Sequence, residues 1–369
     1  MIDIVNGSMK KQKIIVMIPA YNEAGTIGKI IRAVPRTING VGICEVMVMD
    51  DYSSDNTAEV SKEAGAEHIF RQKQNRGLGN NFKKGIEMAL KLGADIIVNI
   101  DGDGQFNPED IPKLVRPILH KEADMVTCSR FLNPKLTKNM PFLKKWGNRR
   151  FTNLVSRITG EKFTDTQCGF RAYSRESALR MNLQGKFTYT QEVFIDLVEK
   201  GLRIKEVPCK VVYHRKRDSA ISGNLRRYGF KSLGIIAKAT RDTQPLTFFG
   251  LPAFIIFILG FLGGSFSFVY WLLYHMTTPV RTLFQVSVFF MIFGLALGVL
   301  ALVADMLKGL KRGQDEVLYR LKRAELDNAK IFDKIENGNG VERVNGNRNG
   351  NGIEKINSNG NHKRKFRRE

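Results

Sequence analysis

Asp95-Ile96-Ile97-Val98-Asn99-Ile100-Asp101-Gly102-Asp103-Gly104-Gln105 is the stretch that decides the fold. Its apolar, β-branched first half reads as a buried strand. The strand delivers two carboxylates, one residue apart, at its exit. The intervening glycines let the backbone turn sharply there. Two such carboxylates can face one hard cation, and oxygen ligands suit Mg²⁺ or Mn²⁺, which also take diphosphate oxygens and water. An acidic turn is common by itself. The preceding strand places this one at a cleft, because open α/β sheets bind ligands outside the carboxyl ends of their strands.

The same rhythm runs upstream. Ile14–Ile18 and Glu45–Met49 read as strands, followed by helical spacing over Thr26–Val34 and Asn56–Ala64. His68–Arg71 is a short strand, Phe82–Leu92 is helical, and Met125–Ser129 is a further apolar run. Strands alternating with helices predict an α/β fold, with a mainly parallel sheet covered by helices on both faces. Each strand exit carries polar residues. After the first stand Pro19-Ala20-Tyr21-Asn22-Glu23, where Tyr21 can cover a flat base and Glu23 can take a polar contact. After the second stands Asp50-Asp51-Tyr52-Ser53-Ser54-Asp55. Asp51 is read as an acceptor for a nucleobase N–H, and Asp55 as a cap for the following helix.

The C-terminal part has a different composition. From Thr243 to Val280 there is no Lys, Arg, Asp or Glu, and a second uncharged run covers Thr282–Ala304. About 20 apolar residues cross a bilayer as a helix, so the two runs predict a transmembrane hairpin turning at His275–Arg281. Lys and Arg crowd both outer flanks, while the connecting loop carries only Arg281. The positive-inside bias then puts both termini and the large N-terminal part in the cytosol. No signal peptide is expected, since Met1–Gly7 is short and contains Asp3. Gly260/Gly264 and Gly294/Gly298 are GxxxG pairs that permit close approach within the hairpin or between copies, as in a homo-oligomer.

The 369 residues are therefore expected to divide into an α/β domain (1–220), an interfacial amphipathic helix (221–242), two membrane helices (243–307), a basic juxtamembrane helix (308–336) and a disordered Asn/Gly-rich basic tail (337–369). Lys and Arg total 58 against 36 acidic residues, a formal charge of +22. Much of that excess flanks the spans or lies in the tail and no nucleic-acid motif accompanies it, so nucleic acid is not expected as a partner. Four cysteines without CxxC or metal spacing read as reduced, buried thiols.

The three strand-exit motifs, in this order, resemble glycosyltransferase family 2, the inverting nucleotide-sugar transferases of the GT-A fold. The resemblance continues in Asn75-Arg76-Gly77-Leu78-Gly79 and in Asp165-Thr166-Gln167-Cys168-Gly169-Phe170-Arg171, and covers roughly Lys13–Val212. The trailing hairpin is similar to that of polyprenyl-phosphate and dolichyl-phosphate sugar synthases. The resemblance implies that Asp101, Asp103 and Gln105 hold the metal, and that Pro19, Tyr21, Glu23, Asp51, Arg76 and Asp101 bind the nucleotide. It implies a donor such as GDP-mannose or UDP-glucose, with mannose ahead, and an acceptor of polyprenyl or dolichyl phosphate. By family position Arg130 and Arg215, then Arg149, meet the acceptor phosphate. Lys144, Arg150 and Arg157 read instead as headgroup attraction.

Glu192, in Thr190-Gln191-Glu192, stands where many relatives carry a base. A sugar hydroxyl needs such a base, but a phosphate monoester, with its second pKa at about 6, is already a nucleophile at neutral pH. Glu192 is therefore read either as a direct participant or as a positioning group, beside Asp103 and Arg130. The absence of a QxxRW motif argues against a processive polymerase. The expected activity is inverting, metal-dependent transfer of one sugar at the cytosolic face of the cell membrane. The nearest rivals are a membrane transferase acting on a hydroxyl of a glycolipid, glycan or protein, and a basic nucleic-acid-binding membrane protein.

Overall fold

The computed structural model describes residues 12–133, 140, 142–183, 189–211, 241 and 244–338. Arg215, the 222–238 segment and the tail from 339 onward lie outside these residues. Seven strands form one sheet in the order β3-β2-β1-β4-β6-β5-β7. They are β1 (Gln12–Ala20), β2 (Val41–Asp50), β3 (His68–Arg71), β4 (Ile96–Asn99), β5 (Met125–Ser129), β6 (Arg171–Ser174) and β7 (Ile204–Pro208). β3, β2, β1 and β4 run parallel, as do β5 and β7, while β6 lies antiparallel between β4 and β5. The mainly parallel α/β sheet expected from the sequence is the one the chain adopts.

Both faces of β1 are buried, which is why it reads as a continuous apolar run rather than an alternating one. Ile14, Val16 and Ile18 pack on one side, with α1 (Ile27–Ala33) and α4 (Ile111–Leu119). Ile15 and Met17 pack on the other, with α3 (Leu78–Lys91) and α7 (Tyr189–Glu199). α2 (Thr57–Glu63), α5 (Phe142–Thr159) and α6 (Arg175–Arg180) complete the layers. α3 starts four residues before the expected Phe82, because Gly77 turns the chain at φ 80° and releases it directly into the helix. All four cysteines are buried and unpaired.

Two long helices follow, α8 (Pro245–Tyr274) and α9 (Arg281–Gly338), and both are long and apolar enough to cross a membrane. Their large apolar side chains are widely exposed, for example Phe254, Phe261, Leu273, Phe289 and Leu295, a pattern that fits lipid rather than water. Gly260 and Gly294 serve the hairpin itself. A Cβ on Gly260 would lie 2.7 Å from the Ser287 carbonyl oxygen, and one on Gly294 would lie 2.7 Å from the Phe257 nitrogen. Gly298 has open space where its Cβ would be. The segment read as a separate juxtamembrane helix is continuous with α9, since no Pro or capping signal interrupts it. The chain to Leu326 forms one compact unit.

Candidate active site

The carboxyl ends of β1, β2 and β4 open into a cleft of about 380 Å³. Pro19, Tyr21 and Glu23 line it from the first loop, Asp51 from the second, and Asp101 and Asp103 from the third. Six residues singled out in the sequence thus meet in one cavity. They are joined by Asn75, Gly77, Leu78 and Asn81 of the loop leading into α3 and its first turn. The convergence follows from register. Ala20 of β1 aligns with Asp50 of β2, and the Asp51 N–H donates to the Ala20 carbonyl at 2.9 Å.

The loops are tied to one another rather than only to their strands. Asn22 accepts from the Ser54 N–H at 2.8 Å, the Glu23 N–H donates to Thr57 Oγ1 at 2.9 Å, and the Ala24 N–H donates to Asp55 at 3.1 Å. Asp55 also accepts from the Thr57 N–H at 3.1 Å, so it holds the start of α2 while clamping the first loop. Tyr52 holds a left-handed backbone at φ 67°, costly for a bulky residue. Ser53 anchors the turn by donating its N–H to the buried Asp50 at 2.9 Å. Arg71 closes it by donating to the Ser53 carbonyl at 2.7 Å.

Asp51 is almost wholly buried. Its two oxygens accept the Arg76 and Gly77 N–H groups at 2.9 and 2.8 Å. It therefore shapes the 75–77 loop as well as lining the cleft. Arg76 contributes its main chain to that bond, and its exposed side chain is not among the lining residues. Gln105 likewise lies outside the lining, and its N–H donates to Asp103 at 3.0 Å.

Beneath the acidic pair lies a polar layer that sequence reasoning missed. Asn99, fully buried, donates to the Gly169 carbonyl at 2.7 Å and reaches the Tyr189 hydroxyl at 3.3 Å. Arg171, also fully buried, donates to the Cys168 and Thr166 carbonyls at 2.8 and 3.1 Å, with its guanidinium 4.9 Å from the Phe194 ring centre. The available signals were the lone Asn in the apolar run Ile96–Ile100 and the Arg171 that closes the Asp165–Arg171 motif. Asp101 is pushed from 3.8 to about 7, chiefly by burial, then by Asp103, against the pull of Arg171 and Arg130. Asp101 and Asp103 are two carboxylates on one turn, oxygen donors of the kind a hard divalent cation takes, and among the described residues no third acidic, His or Cys side chain joins them in a metal-sized cluster.

The sign of the pH effect follows. In the metal-free protein the folded state binds a proton on Asp101 between about pH 4 and 7 that the unfolded chain does not. Stability from this group is therefore present at pH 5 and lost by pH 8. Melting curves should show this slope, Asp101→Asn should flatten it, and Mn²⁺ should restore the melting temperature at pH 8. An unchanged slope in Asp101→Asn would remove Asp101 as its source.

Gly169 is fixed by space. A Cβ there would lie 2.5 Å from Asp101 Oδ2. Gly169→Ala is expected to displace the Asp101 carboxylate, and any activity that depends on where that carboxylate sits should fall by about 10²-fold, the cost of a misplacement of about 1 Å. Melting temperature and circular dichroism should stay near the parent's. Full activity in this variant would show that the carboxylate moves freely.

Arg130 is buried and clamps Asp165 through two bonds, Nε at 2.6 Å and Nη2 at 2.8 Å. Burial alone would raise the Asp165 pKa, but Arg130 and Asn148 hold that carboxyl below the usual range. Asn148 donates to Asp165 at 3.2 Å, so the same carboxylate fastens α5 to the 165–171 loop. The outward face of α5 presents Lys145, Trp146, Arg149 and Arg150 to solvent. Glu192 is half-buried, one helical turn beyond Tyr189 on α7. Neither Arg130, Arg149 nor Glu192 is among the residues lining the strand-end cleft.

With this geometry established, comparison with known proteins places the chain. The family model described as glycosyl transferase family 2 matches residues 15–180. A UDP-N-acetylglucosamine–dolichyl-phosphate N-acetylglucosaminyltransferase of Methanococcus voltae is 35% identical over 225 residues, 56% of this chain and 88% of the relative. An undecaprenyl-phosphate mannosyltransferase of Micrococcus luteus is 27% identical, over 58% of this chain and 89% of the relative. A crystal structure of Mycobacterium tuberculosis glucosyl-3-phosphoglycerate synthase with Mn²⁺, UDP and glucosyl-3-phosphoglycerate is similar at a TM-score of 0.47 and 23% identity, covering 62% of this chain and 79% of that one. The chain belongs to glycosyl transferase family 2.

Proposed function

We propose that the protein transfers one sugar from a nucleotide-sugar to a polyprenyl phosphate, with inversion, at the cytosolic membrane face. The observation that carries this reading is the acidic cleft at the strand ends, built into the same compact unit as two bilayer-length apolar helices. The named acceptors of the Methanococcus voltae and Micrococcus luteus relatives, dolichyl and undecaprenyl phosphate, support it. Those relatives differ in sugar, so N-acetylglucosamine stands beside the mannose and glucose expected from the sequence.

Asp101 and Asp103 would hold a divalent cation, Mg²⁺ or Mn²⁺, and Gln105 orients Asp103 through its N–H. When bound, such a cation supplies neutralising charge to the departing nucleoside diphosphate. Tyr21 covers the base, and Asp51 fixes the loop whose N–H groups border the cleft. The acceptor phosphate needs no general base, which leaves Glu192 a positioning role. Arg149 is exposed on α5 and fits the approach side of an anionic acceptor, whereas Arg130 commits Nε and Nη2 to Asp165.

The test uses the full-length protein in vesicles with Mn²⁺ and labelled UDP-N-acetylglucosamine, UDP-glucose and GDP-mannose in turn. Label should enter the lipid fraction only when polyprenyl phosphate is present, from one donor at least tenfold better than from the others. Label on a glycolipid, glycan or protein hydroxyl, with polyprenyl phosphate ignored, would overturn the acceptor assignment.

A further inference from the structure

The cytosolic length of α9 does more than leave the membrane. Lys308, Arg312, Asp315, Tyr319, Lys322 and Leu326 recur at alternating spacings of four and three residues, and so form one stripe along the helix. The stripe lies on the catalytic domain. Lys308 pairs with Glu199 of α7 at 3.8 Å. Asp315 accepts from Asn182 at 2.5 Å and faces Lys200 at 3.8 Å. Tyr319 is buried in the core cluster that contains Met17 and Phe194. Its hydroxyl donates to Glu176 at 3.1 Å, and the Arg180 guanidinium lies 4.3 Å from its ring centre. Lys322 donates to the Met181 carbonyl at 3.0 Å, and Leu326 joins the same core. Leu321, off the stripe, is exposed.

We propose that this stretch of α9 is a strut that fixes the height of the donor cleft above the bilayer, with Asp315 and Tyr319 as positioning residues for a membrane-borne acceptor. The seam from Lys308 to Leu326 spans 18 rises, about 27 Å of helix, and it continues without a break from the apolar span. Its contacts fall on α6, α7 and the turn after α6. α7 carries Tyr189, whose hydroxyl meets Asn99 at the end of β4, two residues from Asp101. The apolar span, the docked stripe and the acidic pair thus belong to one chain of packed elements. The individual surface ion pairs are weak, so the buried ring of Tyr319 and its cation-facing contact anchor the seam.

The proposal rests on the lipid-phosphate reading above, and its test separates the two. Seven residues inserted between Leu307 and Lys308 preserve the helical phase of the stripe and lengthen the strut by about 10 Å. The full-length protein carries a fluorophore on Lys73→Cys, the native cysteines being buried, and sits in vesicles with energy-transfer acceptors in the headgroups. The insertion should raise the fluorophore by about 10 Å. It should cut transfer to vesicle-borne polyprenyl phosphate at least tenfold while leaving transfer to a short, water-soluble isoprenyl phosphate within twofold. Tyr319→Ala should raise KM for the vesicle-borne acceptor severalfold at unchanged kcat with the short one, and Tyr319→Phe, which keeps the ring over Arg180, should recover most of it.

An unchanged height, or equal loss with both acceptors, overturns the strut. If the height changes but the parent protein labels neither phosphate, the acceptor assignment fails and the strut stands.

Discussion

Asp103→Ala should abolish measurable transfer, a loss of about 10³-fold or more, the scale of removing one preorganised electrostatic contact to developing charge. The same variant should gain stability without metal. Asp103 exerts the strongest like-charge effect on Asp101, second only to burial in raising its pKa. Removing it relieves repulsion that a bound cation would otherwise offset. Three measurements check this together: transfer of label to lipid, melting temperature without metal, and the rise in melting temperature on adding Mn²⁺ with nucleotide. Transfer should vanish, the metal-free melting temperature should rise, and the metal-induced increment should collapse. Retained transfer in this variant would remove the acidic pair from the mechanism. A fall in the metal-free melting temperature would show Asp103 to be a structural residue.

Asp165→Ala should cost the most stability. It leaves the guanidinium of Arg130 buried without its carboxylate, and breaking such a pair costs about 3–5 kcal/mol. It also releases Asn148 of α5 and the Gln167 N–H, which donates to Asp165 at 3.2 Å. Chemical denaturation of the detergent-solubilised protein should show the loss as a lower midpoint. Replacing both partners, Arg130→Met with Asp165→Leu, should recover much of it, since no buried charge is then orphaned. Equal destabilisation in the single and double variants would mean that the hydrogen bonds to α5, rather than the charge pair, carry the cost. The Asp165 carboxyl is held below its ordinary range. Its contribution is therefore present at neutral pH and lost only as pH falls through that lowered value.

The ordering of these two effects separates two kinds of acidic residue that look alike in sequence. Asp101 and Asp103 repel one another. Asp165 already has its cation in Arg130. The family motif containing Asp165 was legible as a resemblance. Its partner was not, because Arg130 and Asp165 are far apart in the chain and meet only through the pairing of β5 with β6. Arg130, expected at the acceptor phosphate, has two of its three guanidinium nitrogens occupied by that pairing.

Much of the cleft was readable because strand ends announce themselves. An apolar run stops, a polar cluster begins, and parallel strands gather those clusters on one edge. Tyr21, Glu23, Asp51, Asp101 and Asp103 were found this way and line one cavity. Asn99 and Tyr189 were not, and Arg171 was legible only as the end of a motif, because neither a lone polar residue nor a motif shows what its side chain will face. Their partners are the Thr166, Cys168 and Gly169 carbonyls of the loop before β6 and, for Asn99, the Tyr189 hydroxyl of α7.

The sequence by itself determined the α/β alternation, the strand exits and the two apolar spans, since each is a local matter of periodicity, turn chemistry and charge over fewer than about 30 residues. It took the tertiary structure to show that Asp51 braces the 75–77 loop, that Gly169 lies against Asp101, and that α9 continues past its apolar stretch to pack Tyr319 into the core of the α/β domain. These depend on which surfaces meet, and shape and charge complementarity between segments 25 to 143 residues apart leaves no periodic mark on either one.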